Sequence, residues 1–440
     1  MPFQLRPRRL AQAALTVAVL AFVAACAKDH PESVFHHRTD FNRDVDWLFR
    51  LLMWLGGFVF VFVEFLLIWT LVKFRRRPGQ AEPKHVHGNT VMEITWTIVP
   101  ALLLIVIAIP TVHTIFKTEA KARADALQVE VIGHQWWWEF RYPQYGVVTA
   151  NELYLPIGRT VNFTLHTQDV LHSFWVPALG GKRDLIANHT NYLWFTPDST
   201  KANAYNGACV EYCGDSHGNM RFKAFTVTPA DFEAWAKHQA SPAVGSGPVP
   251  PATPALATTR VAISTTSNTQ AAPTVPSSGS PGAGVPATPA ADTAAVAQAG
   301  FIAFPREKLP AYAIPQTPLP AGETFDEKLL ASGNAANGAK LVSGGTCIAC
   351  HSIKGVPTMV GVVGPNLTHV GSRTTIAAGL YPNDAKHLAY WIKNSRMMKA
   401  GVIMPTLGLN QYDPILKATQ KFGLSDQQIA DIVAYLQTLK

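Results

Sequence analysis

Charged residues are scarce in this chain. Asp, Glu, Lys and Arg make up 15% of the 440 residues, hydrophobic residues make up 48%, and the mean hydropathy is positive. The pI is about 9.2, but the cations form no stripe interleaved with aromatic residues, so the composition does not support a nucleic-acid-binding protein. We expect instead that part of the apolar surface faces lipid.

Cysteine is equally rare, with five in the whole chain. Two lie in the stretch CVEYCGDSHGNM, residues 209–220, and two more lie in CIACH, residues 347–351. The fifth, Cys26, follows an apolar N-terminal run. The three groups therefore need three separate explanations.

The N-terminus has the pattern of an export signal. Arg6, Arg8 and Arg9 precede an uncharged run over 10–25. The run ends in Val-Ala-Ala-Cys, which resembles a bacterial lipobox and predicts cleavage before Cys26 with a lipid on its sulfur. The alternative is an ordinary signal peptide with a chance cysteine. Removal of the three arginines lowers the formal net charge of +8.

Two longer apolar runs follow, at Leu51–Val72 and Ile94–Phe116. Each is long enough to cross a hydrocarbon core of ~30 Å as a helix. The loop between them carries Lys73, Arg75, Arg76, Arg77 and Lys84 with Glu82 as the acid among them, so the positive-inside tendency places it in the cytoplasm and both chain ends outside. Pro100 and Pro110 predict a kinked second helix packed on protein. Glu64 is expected to face protein too, with a structural hydrogen bond favoured over proton transfer.

Beyond the second run the pattern changes to alternation. Six short stretches, among them LQVEVIG and TVNFTLHT, are separated by Pro, Gly and Asn and predict a β-sandwich or barrel that ends near His238. Residues 240–300 are rich in Pro, Ala, Ser, Thr and Gly, which predicts a disordered or partly extended tether. Helical patterns begin after Gly322, and the last one opens with Ser425 and Gln428 in capping-box spacing.

The chain accordingly divides into six predicted segments. They are an export signal of the lipoprotein type at 1–25, an outer N-terminal segment at 26–46, a transmembrane helix hairpin at 47–117, a β domain at 118–239, a linker at 240–321 and a helical domain at 322–440. A linker of this kind would hold the helical domain near the β domain at an effective concentration of about a millimolar.

Cys347, Cys350 and His351 form the pattern C-x-x-C-H. Two thioethers in this spacing attach haem c covalently, and the adjacent imidazole ligates the iron. A thioredoxin-like redox pair or half of a zinc site also uses C-x-x-C, but no βαβ pattern surrounds this pair and no second pair follows. The motif therefore predicts haem c in a small helical domain.

The second axial ligand of an electron-carrying haem is expected to be soft. Met404 lies in an irregular stretch far enough downstream to reach the opposite face of the porphyrin, and a Met/His pair raises the iron potential. Met359, Met397 and Met398 are rivals, although the last two lie near the end of a helical pattern, where packing is the simpler role.

The stretch at 209–220 combines two cysteines, a histidine and a methionine. Zinc gains nothing from a methionine, and a disulfide between Cys209 and Cys213 is the alternative in an oxidising compartment. Thiolate, thioether and imidazole on a sandwich loop suit copper, and the second thiolate suggests two coppers bridged by both sulfurs. Each copper needs an imidazole. His217 supplies one, and His172, in the loop after TVNFTLHT, offers the other.

The motif C-x-E-x-C-x-x-x-H-x-x-M, together with DVLHSFWVP, GHQWWWEF and EITWTIVPA, resembles cytochrome c oxidase subunit II. The resemblance extends from Phe41 to His238, and the C-terminal part, including GPNLTHVGSR, resembles a small class I cytochrome c. The fused haem domain indicates the caa(3)-type branch. The resemblance implies a multidomain fold with a two-helix transmembrane hairpin, a cupredoxin-like Greek-key β-sandwich and an all-α class I cytochrome c domain.

The resemblance also implies roles for individual residues. The ligands of a binuclear CuA centre would be His172, Cys209, Cys213, His217, Met220 and the backbone carbonyl of Glu211. The Glu211 side chain would help to hold a magnesium ion shared with subunit I. Trp136 would be the residue through which electrons reach the copper, and Glu93 a candidate entrance of a proton pathway. Lys182 and Asp184 would contact subunit I or its haem propionates. Apart from the resemblance, Asp169 is expected to orient His172 as a hydrogen-bond acceptor, and the alternative is a loop N-cap.

The predicted function follows from this resemblance. Electrons from a cytochrome donor would pass through haem c and CuA to subunit I of a cytochrome c oxidase, where oxygen is reduced to water with proton pumping. The predicted location is the bacterial inner membrane, with both redox domains on the periplasmic side. The alternatives are the small subunit of a nitric oxide reductase or, in a different class, a membrane-tethered copper carrier or sensor. A nitrous oxide reductase is disfavoured because it would lack the hairpin.

Overall fold

The computed structural model describes residues 7–25, 33–35, 37–79, 87–119, 124–198, 201–243 and 304–440. The helices are α1 (Pro7–Ala25), α2 (Asp40–Lys73), α3 (Thr90–Glu119), α4 (Pro229–Ala240), α5 (Ala335–Gly344), α6 (Ala385–Met398) and α7 (Asp426–Thr438). The predicted multidomain architecture is present: a helix hairpin, a β-sandwich and a mainly helical C-terminal domain. Cys26, the predicted lipidation site, lies outside the described residues.

The hairpin helices α2 and α3 are 34 and 30 residues long and apolar enough to cross a membrane. Helix α2 begins 11 residues before the predicted apolar run, because its first turn is tied to the sandwich. The Thr39 hydroxyl caps the amide of Asn42 and donates to the carbonyl of Leu179 at 2.6 Å. The Asn42 side chain donates to the carbonyl of Pro177 at 2.9 Å. The first turn therefore belongs to the outer domain as much as to the membrane.

The sandwich contains ten strands: β1 (Leu127–His134), β2 (Trp137–Tyr142), β3 (Val147–Ala150), β4 (Glu152–Pro156), β5 (Val161–Thr167), β6 (His172–Trp175), β7 (Arg183–Leu185), β8 (Asn191–Phe195), β9 (Asn203–Cys209) and β10 (Arg221–Val227). They form two five-stranded sheets in the orders β3-β2-β1-β5-β8 and β4-β10-β9-β6-β7. Strands β1 and β5 pair in parallel, as do β4 and β10, and the other pairs are antiparallel.

Aromatic rings fill the space between the two sheets. Trp138 and Phe140 from β2 meet Phe174 from β6 and Phe222 from β10, with centroid distances of 5.0–6.4 Å. All four side chains are fully buried. Strands β6 and β10 carry these rings directly beside the predicted copper ligands, so the core fixes the ends of the ligand-bearing strands.

Six strands lie where the alternation predicts them, and four do not. Strands β3, β6 and β7 have three or four residues, too few for a periodic signal, and β9 reads NAYNGAC, without an apolar face. Because β6 begins at His172, this histidine lies on a strand and not in the loop that the sequence suggested. A strand position holds the imidazole more rigidly than a loop position.

The C-terminal domain is built around the contact of α5 with α7. Gly338 of α5 lies so close to α7 that an added Cβ would be 2.0 Å from the carbonyl oxygen of Asp431. The Asp431 carboxylate accepts hydrogen bonds from the Asn334 amide and the Asn337 side chain at the start of α5. The predicted capping box of Ser425 and Gln428 is present on α7. The domain also contains two ribbons, β11 (Thr375–Ile376) with β12 (Tyr381–Pro382) and β13 (Gln411–Asp413) with β14 (Ala418–Gln420).

Part of the segment predicted as linker packs against the sandwich. Phe304 is 7% exposed, lies 5.0 Å from the Phe225 ring and donates its amide to the Tyr154 hydroxyl. The Tyr312 hydroxyl donates to the carbonyl of Ala204 at 3.0 Å. These two aromatic residues supply contacts that a tether of Pro, Ala, Ser and Thr lacks. The predicted linker of 240–321 therefore does not separate the two domains over its whole length.

The C-terminal domain also contacts the sandwich directly. Glu152 of β4 is 3% exposed, and its carboxylate accepts both the amide and the hydroxyl of Thr374 at 2.6 Å. The amide of Arg221 donates to the carbonyl of Ala378 at 3.2 Å. A buried carboxylate is costly unless it is hydrogen-bonded, so these bonds exist only while the domains are docked in this orientation.

His369 lies at the same interface. Its ring centroid is 4.7 Å from that of His238 in α4, and its Nε2 donates to the carbonyl of Ser241 at 3.1 Å. Burial, assisted by His238, lowers the pKa of His369 to about 4. The folded, docked chain therefore holds this imidazole in the neutral form.

We predict that acid weakens the docked structure through His369. The unfolded state takes up a proton below pH ~6.5 and the folded state does not, so stability falls between pH ~6.5 and ~4, by up to about 3 kcal/mol. Burial raises the pKa of Glu152, which acts in the opposite direction, so the test is the difference between His369→Gln and the parent protein. Calorimetry at pH 7 and 5 should show a smaller loss of stability in His369→Gln, with exposed His189→Gln as the control. Equal losses in all three proteins would contradict the prediction.

Candidate metal centre and haem site

The predicted copper ligands converge at one end of the sandwich. His172 opens β6, Cys209 closes β9, and Met220 immediately precedes β10. The connection from β9 to β10 carries Cys213 and a short 3-10 turn that begins at His217. Two neighbouring strands thus bring together the residues of the 209–220 motif, and a third brings a histidine 37 positions earlier in the chain.

The ligand atoms form a continuous cluster. The Cys209 Sγ lies 3.8 Å from the Cys213 Sγ and 3.8 Å from the His172 Nδ1. The Cys213 Sγ lies 3.6 Å from the His217 Nδ1 and 3.9 Å from the Met220 Sδ. The carbonyl oxygen of Glu211 lies 3.3 Å from the Cys209 Sγ.

These distances fit metal ligation and not a disulfide. A disulfide joins its sulfurs at ~2.05 Å, far below the 3.8 Å between Cys209 and Cys213. Ligand atoms held ~2.0–2.3 Å from one ion at a tetrahedral angle lie about 3.5 Å apart. His172, Cys209 and Cys213 have ligand atoms within 4.8 Å of one another. The donor set of two sulfurs, imidazoles and a thioether suits copper.

The contact between the two cysteines also separates their pKa values. The Cys213 sulfur, and after it the His172 ring, lower the pKa of Cys209, so this sulfur is the first of the pair to ionise. The Cys209 sulfur in turn raises the pKa of Cys213. A thiolate is the form of cysteine that binds metal. His172, Cys209 and Met220 are at most 5% exposed, so the donors are shielded from water.

Asp169 orients His172, as the sequence analysis expected. Its carboxylate lies 2.7 Å from the His172 Nε2, which leaves Nδ1 directed at Cys209. The same carboxylate accepts the amide of Gln135 at 2.7 Å. Burial alone would raise the pKa of Asp169, but the bonds from His172 and Gln135 outweigh it and lower the pKa. The carboxylate therefore stays charged and fixes the tautomer of the imidazole.

Trp136 lies against the metal-binding loop. Its indole nitrogen donates to the carbonyl of Cys213 at 2.9 Å, and the Gln135 side chain donates to the same oxygen at 2.8 Å. Trp136 is 9% exposed. Trp137 stacks on His134 with a centroid distance of 4.1 Å, and Trp138 is a core residue. The three consecutive tryptophans thus have three different environments.

The haem-binding motif lies on a 3-10 turn over Thr346–Ala349. The His351 Nδ1 lies 2.8 Å from the carbonyl oxygen of Pro365, which leaves Nε2 as the nitrogen available to iron. An added Cβ on Gly361 would be 2.5 Å from the Cys350 backbone, and one on Gly364 would be 2.6 Å from the His351 ring. The two glycines thus let the backbone pack closely against the His351 ring, which fits a ring that must face a porphyrin.

Of the four candidate sulfur ligands, Met397 and Met404 lie outside the buried core. Met359 and Met398 are 2% and 6% exposed and pack within the apolar core of the domain. The Met404 backbone is fixed by the Ser395 hydroxyl, which donates to its carbonyl at 2.9 Å. Met397 is half-buried at the end of α6. The core packing of Met359 and Met398 argues against both as ligands and leaves Met404, the predicted ligand, with Met397 as its rival.

The remaining predicted residues lie away from this cluster. Glu93 is exposed in the first turn of α3, and Glu64 is half-buried on α2. Asp184 lies on β7 opposite Ser173, next to the strand of His172, and Lys182 is exposed just before it. Gln135, which donates hydrogen bonds to both the Asp169 carboxylate and the Cys213 carbonyl, is a site residue that was not predicted. Its position directly before the predicted Trp136 was the only available signal.

Comparisons with known proteins agree with this description. Family profiles match residues 38–114 (cytochrome c oxidase subunit II, transmembrane domain), 147–227 (the periplasmic domain of that subunit) and 335–440 (cytochrome c). Cytochrome c oxidase subunit 2 of Alkalihalophilus pseudofirmus is 29% identical over 87% of this chain and 82% of that protein. A probable cytochrome c oxidase subunit 2 of Rickettsia bellii is 31% identical over 42% of this chain and 75% of that protein.

The periplasmic domain of subunit II of cytochrome oxidase from Bradyrhizobium japonicum is 26% identical to this chain, with a TM-score of 0.26. The comparison covers 27% of this chain and 96% of that one.

The fold and the two sites define a membrane-anchored electron-transfer protein with a cupredoxin-like sandwich and a cytochrome c domain. The chain belongs to the cytochrome c oxidase subunit II family. It is the subunit through which electrons enter a haem-copper oxidase, and its cytochrome c domain indicates the fused, caa(3)-type arrangement. The family implies CuA and haem c as cofactors, with subunit I and a cytochrome donor as partners. The predicted family, fold and function are thereby confirmed.

We predict that Asp169→Asn weakens copper binding. The amide keeps the shape of the carboxylate but removes the charge that fixes the His172 ring, and loss of such a partner typically lowers metal affinity 10–100-fold. Copper content per protein after graded chelator treatment measures the effect. The control is Asp231→Asn, which changes an aspartate in the first turn of α4, away from the site. Equal copper retention in both variants would show that Asp169 has no such role.

Proposed function

We propose that this chain carries electrons from a cytochrome donor to subunit I through two sites of its own. Haem c is attached to Cys347 and Cys350, with His351 and Met404 as axial ligands. The CuA ligands are His172, Cys209, Cys213, His217, Met220 and the carbonyl of Glu211. When bound, the haem and the copper pair supply one-electron chemistry, and subunit I reduces oxygen to water coupled to proton pumping.

The observation that carries this proposal is the chain of 3.6–3.9 Å contacts that links two imidazoles, two thiols and one thioether. The sandwich holds three of the donors, His172, Cys209 and Met220, on strand ends or directly beside them, so little of the protein rearranges when the charge of the site changes. The aromatic core excludes water from one side, and the Asp169 carboxylate fixes the ring of His172. A rigid, dry ligand set suits repeated one-electron transfer.

The same burial argues against a copper carrier or sensor. A carrier must release its metal to a partner, which requires ligands that solvent and the partner can reach. Here His172 and Met220 are fully buried and Cys213 is 3% exposed. A cytochrome c domain also has no use in a carrier. A nitric oxide reductase differs only in its large subunit and is separated from an oxidase by the experiment below.

The finer details belong to the same proposal. The Glu211 carboxylate holds a magnesium ion together with subunit I, and Glu93 marks the entrance of a proton pathway. Trp136 passes electrons to the copper centre. Cys26 carries a lipid on its sulfur and becomes the N-terminus once the export signal is removed. The basic loop between α2 and α3 faces the cytoplasm of a bacterial inner membrane, and both redox domains face the periplasm.

We predict that Cys213→Ser abolishes oxygen uptake by the assembled complex while the haem c band is still reduced by a cytochrome donor. Serine cannot bridge two coppers, so electrons stop at the haem domain. Reduced-minus-oxidised spectra and oxygen consumption of the complex purified from native membranes measure both effects. If the partner subunit instead carries haem b with non-haem iron and consumes nitric oxide, the ligand assignments stand and the oxidase assignment is wrong.

We predict that Met404→Leu lowers the reduction potential of haem c and opens the iron to carbon monoxide. The thioether raises the potential and closes the sixth position, and leucine does neither. Redox titration and carbon monoxide difference spectra measure these changes. The matched control is Met397→Leu, which removes a half-buried thioether from the same domain. A normal potential in Met404→Leu with a lowered one in Met397→Leu would assign the ligand to the rival.

A further inference from the structure

The haem domain covers Trp136. Gly401, with φ +72°, lies so close to the indole that an added Cβ would be 2.7 Å from Cη2 and from Cζ3. On the sandwich side, Gly214 has φ +108°, and its added Cβ would be 3.1 Å from Cζ2. One glycine from each domain therefore contacts the same ring, and Trp136 is left only 9% exposed.

Two hydrogen bonds hold the covering segment in place. Lys399 is 3% exposed, and its Nζ donates to the carbonyl oxygen of Trp136 at 2.6 Å. The Ser216 hydroxyl donates to the carbonyl of Ala400 at 2.5 Å. A lysine amine is costly to bury without acceptors, and the carbonyl of Trp136 is the nearer of its two, the other being the carbonyl of Ala377 at 3.5 Å. Each side of the contact thus donates one hydrogen bond to a backbone carbonyl of the other side.

The contact lies between the two proposed redox sites. Gly401 precedes Met404 by three residues, and the Trp136 indole donates to the carbonyl of Cys213. A short stretch of backbone, one van der Waals contact and one hydrogen bond therefore connect a proposed haem ligand to a proposed copper ligand.

We propose that residues 399–401 are a built-in electron-transfer contact that reserves Trp136 for the chain's own haem domain. Lys399 and Ser216 are positioning residues, and Gly401 is the residue whose missing side chain lets the loop reach the indole. An external cytochrome then reduces the haem domain and does not reduce the copper site directly. This inference rests on the proposed roles of Met404 and Trp136.

The electron balance across the contact is simple. One electron crosses at a time, so the haem iron is oxidised by one unit and the copper pair is reduced by one. No bond is made or broken, and no proton has to be transferred. The protein's contribution is to hold the distance constant.

Gly401→Ala in the assembled oxidase tests the proposal. The new methyl group displaces the loop from the indole, and we expect the transfer from haem c to CuA, followed after rapid photoreduction of the haem, to slow by at least about tenfold. Gly322→Ala is the control, because Gly322 has a similar φ of +88° and nothing within 4 Å of an added Cβ. Unchanged haem and copper absorption bands show that both sites are intact.

A second readout does not depend on turnover. Hydrogen exchange of the backbone amides in 395–404 should quicken in Gly401→Ala and in Lys399→Met, which keeps the apolar stem and loses the donor. Lys399→Arg should restore part of the protection and of the transfer rate. Faster exchange with an unchanged transfer rate would overturn the inference.

Trp136→Phe separates the inference from the proposed function. If Trp136→Phe slows transfer and Gly401→Ala does not, electrons use the indole without this contact, and the inference alone is wrong. If neither variant slows transfer, the proposed role of Trp136 fails, and the inference fails with it. Slower transfer in both, with Gly322→Ala unaffected, supports both.

Discussion

The hydrogen bond from the Trp136 indole to the Cys213 carbonyl is the interaction on which the two redox sites jointly depend. It fixes the middle of the ligand loop between β9 and β10, which no strand holds. It also fixes the orientation of the indole, against which Gly401 of the haem domain packs. The Gln135 side chain donates to the same Cys213 carbonyl, and the Gln135 backbone amide donates to the Asp169 carboxylate. Gln135 and Trp136 together therefore hold the ligand loop and, through Asp169, the ring of His172.

Polar contacts set the orientation in which the haem domain docks on the sandwich. Glu152, Lys399 and Ser216 each place a buried or half-buried polar group against a backbone or side-chain partner in the other domain. Apolar packing alone would permit small rotations, but each of these groups loses its partner when the haem domain turns. The arrangement favours one docked geometry, which is what electron transfer at constant distance requires.

The sequence predicted those parts of the site whose residues are close in the chain. The spacing in 209–220 and in 347–351 was sufficient to predict thiolate, thioether and imidazole ligands, and Asp169 lies three residues from His172. Strands β6 and β9 were missed because they are short or lack alternation, although they carry His172 and Cys209. The contact of Gly401 with Trp136 joins residues 265 positions apart in different domains, and no local pattern encodes such a pair.

The segment around Phe304 and Tyr312 changes how the connection between the domains acts. This segment packs on the sandwich as far as the buried Ala313. Only the few residues after Ala313 therefore connect the haem domain to the surface on which it docks. The loss of chain entropy on docking grows slowly with the length of the free connection, and here that connection is short. The length of 244–303 therefore has little influence on docking, and this stretch can gain or lose residues without altering the distance between the two redox centres.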